Sequence, residues 1–179
     1  MMAKKEMSPQ DTISWLRLIR SEKIGPITFW QLLHKYGTAS RALEALSDLI
    51  NKGGQKVRLT TTEEAERELK SHQKRGFKLI GAFDPLFPQM LRHLQDCPPF
   101  ISVYGQLDIL NQPTLGIVGA RNSSLNGRQF AEHLARDLGK ADWKIASGLA
   151  RGIDRYAHQG ALPYGTIAVI AGGIDNIYP

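Results

Sequence analysis

Residues 114–154 read TLGIVGARNSSLNGRQFAEHLARDLGKADWKIASGLARGID, and residues 165–175 read GTIAVIAGGID. Short apolar runs at 115–118, 143–146 and 166–171 predict three strands. The first run has no polar alternation, so we expect it to be buried on both faces. Between the runs, apolar residues recur at helical spacing and predict two helices, marked by Phe130, Leu134 and Leu138, and by Ile153, Ala157, Ala161 and Leu162. The order β-α-β-α-β is the unit of a doubly wound parallel sheet, so the predicted class is α/β.

A glycine-bearing turn follows each predicted strand. Right-handed crossovers place all three turns at the carboxyl edge of the sheet, where such sheets bind ligands. Glycine lets a ligand approach the backbone, and the helix N-termini that follow supply free N–H groups. Two arginines add positive charge. These turns predict an anion site, most simply for phosphate, with the candidate residues Gly119, Arg121, Ser123, Ser124, Ser147, Gly148, Arg151, Gly152 and Gly172.

The glycine pattern disfavours two common phosphate cofactors. The first turn is not G-x-G-x-x-G, and Ser147-Gly148 stands where a dinucleotide site carries an acid. The chain also lacks a G-x-x-x-x-G-K-[ST] loop. We therefore expect neither NAD nor ATP as a cofactor.

Asp154 and His158 are four residues apart on one predicted helix and could face each other. One interpretation is an oriented general base, or half of a metal site. The other is structural: Asp154 caps its own helix and His158 contacts a neighbouring loop. The sequence favours the structural interpretation, since no nucleophile adjoins the pair and the other histidines form no metal pattern.

The N-terminal part of the chain has a different pattern. Residues 1–75 predict a small helical domain, with helices near 13–19, 27–36, 40–50 and 61–74, the last opened by a Thr61–Glu64 capping box. Residues 76–112, rich in proline, predict a linker or extension packed on the sheet domain, with strands near 77–82 and 100–104. Residues 113–179 hold the sheet domain.

Composition limits the class of protein. The 179 residues carry 23 Lys and Arg against 17 Asp and Glu, a net charge of +6 that suits an anionic partner such as nucleic acid. Residues 1–75 account for +5 of this charge, as 14 basic minus 9 acidic side chains. A single cysteine, Cys97, excludes an internal disulfide, and no apolar run is long enough for a membrane span. We expect a cytoplasmic protein.

The turn Ile24-Gly25-Pro26 lies between two predicted helices, with Arg17, Arg20, Lys23 and Lys35 close by in sequence. Its backbone could bind a phosphate, as in helix-hairpin-helix modules. The alternative, which we favour, is an ordinary corner with a solvated basic face. Trp15, Phe29 and Trp30 lie on apolar stripes, so we expect core positions for them rather than base stacking.

Three motifs carry a family resemblance: GIVGARNSSLNG at 116–127, SGLARGIDRYAHQGAL at 147–162 and GTIAVIAGGIDNIYP at 165–179. Together they resemble the DNA-processing protein A family (DprA/Smf). The segment 83–110 is similar to that family's linker, and the helical region resembles its sterile-alpha-motif or hairpin-like domain. The resemblance implies a Rossmann-like half-sheet that binds single-stranded DNA in natural transformation, or competence, and DNA recombination. It also implies RecA loading and a homodimer in the full-length protein, with no established catalytic activity and no cofactor.

The resemblance also implies roles for individual residues. Gly119, Arg121 and Ser123 match the family's first phosphate-binding turn. The second turn is matched by Ser147, Gly148 and Gly152, and the third by Gly172, Gly173 and Asp175. Asp154 and His158 match supporting positions near the site. The alternative class is an enzyme, a Rossmann-like nucleotide-binding hydrolase or transferase that uses Asp154 and His158.

The family pattern continues beyond Pro179, so we expect this chain to be a truncated part of a longer protein. The last predicted strand would then leave an unpaired apolar edge. We predict that the chain associates through this edge or is poorly soluble.

Overall fold

The computed structural model describes residues 7–53 and 57–176. The helices are α1 (Pro9–Arg20), α2 (Pro26–Tyr36), α3 (Ala39–Asn51), α4 (Thr62–Lys74), α5 (Leu125–Lys140) and α6 (Ile153–Ala161). The strands are β1 (Lys78–Gly81), β2 (Phe100–Val103), β3 (Thr114–Gly116), β4 (Lys144–Ser147) and β5 (Thr166–Ala168). Short 3-10 helices occupy Gln89–His93 and Asp108–Asn111. The predicted class is confirmed: a helical region precedes an α/β region with a parallel three-stranded sheet.

Contacts divide the chain into two units, one up to Tyr104 and one from Gly105. The segment 76–112, predicted as a linker, contributes to both: β1 and β2 belong to the first unit, and residues 105–112 belong to the second. The division at 75 and 112 into three parts stays a prediction. Within the described ranges, no helix is both long and apolar enough to cross a membrane.

Aromatic side chains form the core of the first unit. The Trp15 ring meets the rings of Phe29, Trp30, Phe83 and Phe100 edge-on, with centroids 5.0 to 5.9 Å apart. Trp15 and Phe29 are buried, which confirms the predicted core positions of these two residues. Edge-on ring contacts stabilise such a cluster beyond the area that it buries. Side-chain caps begin α1, α3 and α4, and the predicted Thr61–Glu64 capping box is present.

The sheet of the second unit has the order β3-β4-β5, and all its strands are parallel. Ile145 in β4 is fully buried and pairs with Leu115 on one side and Thr166 on the other. Alanines on α5 and α6 complete the core, so the helices lie close to the sheet and to each other. The buried members are Ile117, Ala135, Ile145, Ala157 and Ala161.

One burial prediction for this unit is wrong. The run Leu115 to Val118 is not buried on both faces: Leu115 is 36% exposed and Val118 76% exposed. The run ends at the sheet edge, and the core that covers it comes from α5 and α6 on one face only. On α5, the predicted stripe marks a real helix, and its member Leu138 packs against the core. Phe130 is 68% exposed, and the buried positions are Ala131, Ala135 and Gly139.

The α5–α6 contact tests this packing through Gly160. A Cβ at this position would overlap the carbonyl oxygen of Glu132 and approach the Ala135 Cβ at 3.2 Å. We expect Gly160→Ala to lower the free energy of unfolding by about 1–3 kcal/mol, as overpacking does. Gly127→Ala is the matched helical control, because its Cβ would meet only ordinary contacts. Urea denaturation measures both variants, and an unchanged midpoint for Gly160→Ala would show that the helices lie farther apart.

Candidate nucleic-acid interface

A buried carboxylate joins the first two turns. Asp154, in the first turn of α6, is 5% exposed. Its Oδ1 accepts a hydrogen bond from the Gly119 N–H at 3.2 Å, and its Oδ2 accepts from the N–H groups of Gly148 at 3.2 Å and Ala150 at 3.4 Å. The structural interpretation expected Asp154 to cap its own helix, but its three bonds go instead to the turn after β3 and to the turn that precedes α6. One side chain thus holds two loops in a fixed relation.

Backbone packing brings the same two turns into contact. Gly152 has φ +82°, and a Cβ there would overlap the carbonyl groups of Ala120 and Arg121. The Ile153 N–H donates to the Ala120 carbonyl at 3.3 Å. Glycine is required at 152 both for the left-handed backbone and for this close approach. The predicted meeting of the first and second turns is therefore present in the structure.

The predicted donors of these turns differ in their availability. Arg121 and Arg151 are exposed. Ser124 caps α5 by accepting the Gly127 N–H at 3.2 Å, and Ser123 accepts a bond from Arg128 Nε at 3.2 Å. Ser147 is buried and donates to the Ile117 carbonyl at 2.6 Å. Gly119 and Gly148 direct their N–H groups to Asp154. The exposed cations of the two turns are the arginines, while several other predicted residues shape the loops.

The third turn follows β5 at the same edge of the sheet, since all strands are parallel. A Cβ at Gly172 would meet only the Asn176 carbonyl, at 3.7 Å. The Asn176 N–H donates to the Gly173 carbonyl at 2.8 Å, which closes a tight turn around Asp175. Gly172 thus leaves open space beside the backbone, as a site of close ligand approach requires.

His158 lies behind the turns rather than among them. It is 8% exposed, and its Nδ1 contacts Thr166 Oγ1 at 2.7 Å. Because that hydroxyl already donates to the Ile145 carbonyl at 2.8 Å, it accepts from His158, which assigns the ring proton to Nδ1. The buried Nε2 has no hydrogen-bond partner among the described residues. The sequence placed His158 against a loop, whereas its partner is a strand residue.

Burial lowers the pKa of His158 below its ordinary value of 6.5, and the nearby Asp154 carboxylate and the Ser147 carbonyl offset only part of this effect. At neutral pH this imidazole is therefore uncharged and bonded to Thr166. In the part of the chain that the structure describes, no group of three or more His, Cys, Asp or Glu residues could hold a metal ion.

Two residues of this network escaped prediction from the sequence. Ala150 supplies a backbone N–H to Asp154, and Thr166 connects His158 to β4. A backbone N–H donor cannot be recognised from the pattern of side chains. The same pattern indicates Thr166 only as the start of a strand. Both contacts are visible only once the turns are packed together.

Comparison with known proteins identifies the family. The family model "DNA recombination-mediator protein A" matches residues 78–179, more than half of the chain. The chain belongs to this family. The model "DprA-like N-terminal HHH domain" matches residues 9–71, which hold α1 to α3 and most of α4.

Individual relatives support the assignment. The chain is 34% identical to DNA processing protein DprA of Bacillus subtilis over 116 residues, which are 63% of this chain and 39% of that protein. It is 27% identical to protein Smf of Synechocystis over an alignment 187 residues long, which covers 97% of this chain and 47% of the relative. The chain thus spans less than half the length of these relatives.

Two solved structures share the fold. DNA processing protein A of Streptococcus pneumoniae superimposes with a TM-score of 0.55 at 29% identity, over 88% of this chain and 61% of that one. DNA processing protein A of Helicobacter pylori, described for its single-stranded DNA binding mode, gives a TM-score of 0.52 at 31% identity, over 57% and 46% of the two chains.

Asp154→Asn tests the link between the turns. The amide nitrogen of asparagine cannot accept a hydrogen bond, so it would face backbone N–H groups without bonding them. The bonds that remain would lose the negative charge that strengthens them. We expect the free energy of unfolding to fall by about 1.5–3 kcal/mol, the range for bonds to a charged group. Asp137→Asn is the control, because Asp137 is exposed and pairs only with Lys140. Equal urea midpoints for the two variants would contradict the bracing role.

The buried histidine predicts a dependence of stability on pH. Because the pKa of His158 is lowered in the folded state, the unfolded chain binds this proton first as the pH falls below 6.5. The contribution of His158 is thus present above that pH and is lost on acidification. We expect wild type to lose more unfolding free energy than His158→Asn between about pH 7.5 and about pH 5. Parallel losses in urea titrations would show that His158 is not the titrating group.

Proposed function

We propose that this chain binds single-stranded DNA through phosphate contacts along the carboxyl edge of its parallel sheet. The observation that carries the proposal is the pair of exposed arginines, Arg121 and Arg151, on turns that one buried carboxylate holds together. Family membership and the DNA-binding relative from Helicobacter pylori support the same ligand.

The geometry suits a flexible polyanion. Phosphates carry the same charge at every nucleotide, so arginine contacts along an open edge bind without reading sequence. Such binding releases counterions and weakens as salt rises. Because Asp154 holds the two turns together, Arg121 and Arg151 lie on a fixed surface. Less conformational entropy is therefore lost when DNA binds. Gly172 at the third turn leaves room for the strand to continue along the edge.

We propose that the longer protein to which this chain corresponds acts in the cytoplasm in natural transformation, where it protects incoming DNA. In this proposal it loads RecA recombinase on the strand and works as a homodimer. Its role is binding rather than catalysis. Support for a binding role comes from His158, whose ring is buried and bonded to Thr166 instead of facing the open edge.

Arg121→Ala tests the proposed DNA edge. In fluorescence anisotropy with a labelled oligo-dT, loss of one phosphate contact should weaken binding and reduce the slope of log affinity against log salt by about 0.7. Arg151→Ala should act similarly. Arg41→Ala removes the same charge from an exposed position on α3 and should leave the slope unchanged. Equal slopes of log affinity against log salt in all three variants would contradict DNA binding at this edge of the sheet.

The same samples distinguish a DNA-binding protein from an enzyme that acts on nucleotides. A mononucleotide-binding enzyme should be stabilised thermally by millimolar mononucleotide, through linkage of binding to folding. We expect stabilisation by oligo-dT at low salt and none by a mononucleotide. The opposite result would contradict the proposed function.

A further inference from the structure

A strongly basic face lies in the first unit, outside the sheet edge. Residues 67–78 contain five lysine or arginine residues and one glutamate. A shallow groove of about 460 Å³ runs along the outer side of α4 and is lined by Arg67, Lys70, Ser71, Lys74 and Arg75. We call these five residues the α4 basic face. They recur at helical spacing, so they share one side of the helix.

The opposite side of α4 packs against other residues of the first unit. Ala65 and Leu69 pack into the core with α1, and His72 Nε2 contacts Ser102 Oγ at 2.8 Å. The glutamate of the basic segment, Glu68, is bound by Arg20 at 2.8 Å. That glutamate is therefore paired with α1. Arg67 lies near Glu63 and Glu64, one turn earlier, and the residues that line the groove are four cations and one serine.

The helix dipole explains only part of this pattern. Cations stabilise the last turn of a helix, which accounts for Lys74 and Arg75. Arg67 and Lys70 lie in the middle of α4, where that effect is weak. Lys70 pairs with Glu66 at 3.5 Å, with both side chains exposed, and such pairs contribute little. We therefore expect this row of positive charges along an exposed groove to bind an anionic partner.

An exposed aromatic side chain packs against Phe77, which belongs to the basic segment 67–78. Tyr104 is 68% exposed, and its ring packs edge-on against Phe77 with centroids 5.5 Å apart. Phe77, two residues beyond Arg75, packs in turn against His72 at 6.1 Å. The packing holds the Tyr104 ring in place while leaving most of it open. Basic grooves beside exposed aromatic rings are the usual means of binding single strands without sequence preference.

We propose that the α4 basic face and Tyr104 form a second contact surface for single-stranded DNA. The proposal rests on the proposed function, because it extends the same ligand to the helical unit. From Arg67 to Lys74 the helix rises about 10 Å, enough to meet more than one phosphate. Lysines and arginines bind the backbone, and Tyr104 stacks on one base.

The basic face differs from the one that the sequence suggested at Ile24-Gly25-Pro26. Two of the cations near that turn are used inside the fold. Arg17 Nε donates to the Thr60 carbonyl at 3.0 Å, and Arg20 binds Glu68. Lys23 and Lys35 remain exposed near that turn, so the α4 basic face is a separate cluster of cations in the same unit.

The double variant Lys70→Gln/Lys74→Gln tests the surface in the whole chain. In the oligo-dT salt series, loss of two phosphate contacts should lower the slope by about 1.4 and weaken low-salt binding roughly five- to tenfold. Arg41→Gln/Lys52→Gln removes the same charge from exposed positions of the same unit and should change the slope little. Tyr104→Leu should weaken binding about fivefold with an unchanged slope, as loss of one stacked base does.

The outcomes separate this inference from the proposed function. Equal slopes and affinities for wild type, the α4 double variant and Tyr104→Leu, with Arg121→Ala still defective, would overturn the α4 surface alone. A similar loss in the Arg41/Lys52 control would show that the effect depends only on net charge and would also overturn the α4 surface. If the double variant lost binding only to poly-glutamate, the face would take an acidic polypeptide instead. Absence of oligo-dT binding by wild type at low salt would contradict both proposals.

Discussion

The arrangement of the sheet edge depends on the Asp154 carboxylate and its three backbone N–H donors. The turns after β3 and β4 are separate in sequence, and each is short and glycine-bearing. Asp154 binds Gly119 from one turn and Gly148 and Ala150 from the other. A buried carboxylate is costly unless such bonds satisfy it, so the turns and the charge stabilise each other. The proposed DNA surface is the outer side of this closed arrangement.

Much of the α/β region could be predicted from residue pattern. Apolar runs and helical spacing located all three parallel strands and both crossover helices, because period and length separate strands from helices. Burial was less predictable. Phe130 is exposed while Ala131 is buried, because the close α5–α6 contact accepts only small side chains where the helices meet. Hydrophobicity indicates which residues favour burial, but the distance between helices decides which of them fit.

The site was predictable in its location and less so in its details. Strand order placed the turns together, since parallel strands share one carboxyl edge. The roles of individual residues depend on contacts distant in sequence. Ser147 resembles a phosphate donor in sequence, yet its hydroxyl binds the Ile117 carbonyl. The net charge of residues 1–75 is evident from the sequence, but which of these cations are paired, as Arg20 is with Glu68, only the folded chain reveals.

An amide-resolved NMR titration of the chain with unlabelled oligo-dT at low salt tests the central claim most directly. The account predicts that the largest shifts on the sheet unit cluster at the turns 119–124, 147–152 and 171–173, which lie at one edge, and that added salt reverses them. Shifts confined to the opposite ends of the strands, or an unchanged spectrum at saturating oligonucleotide, would contradict DNA binding at this edge.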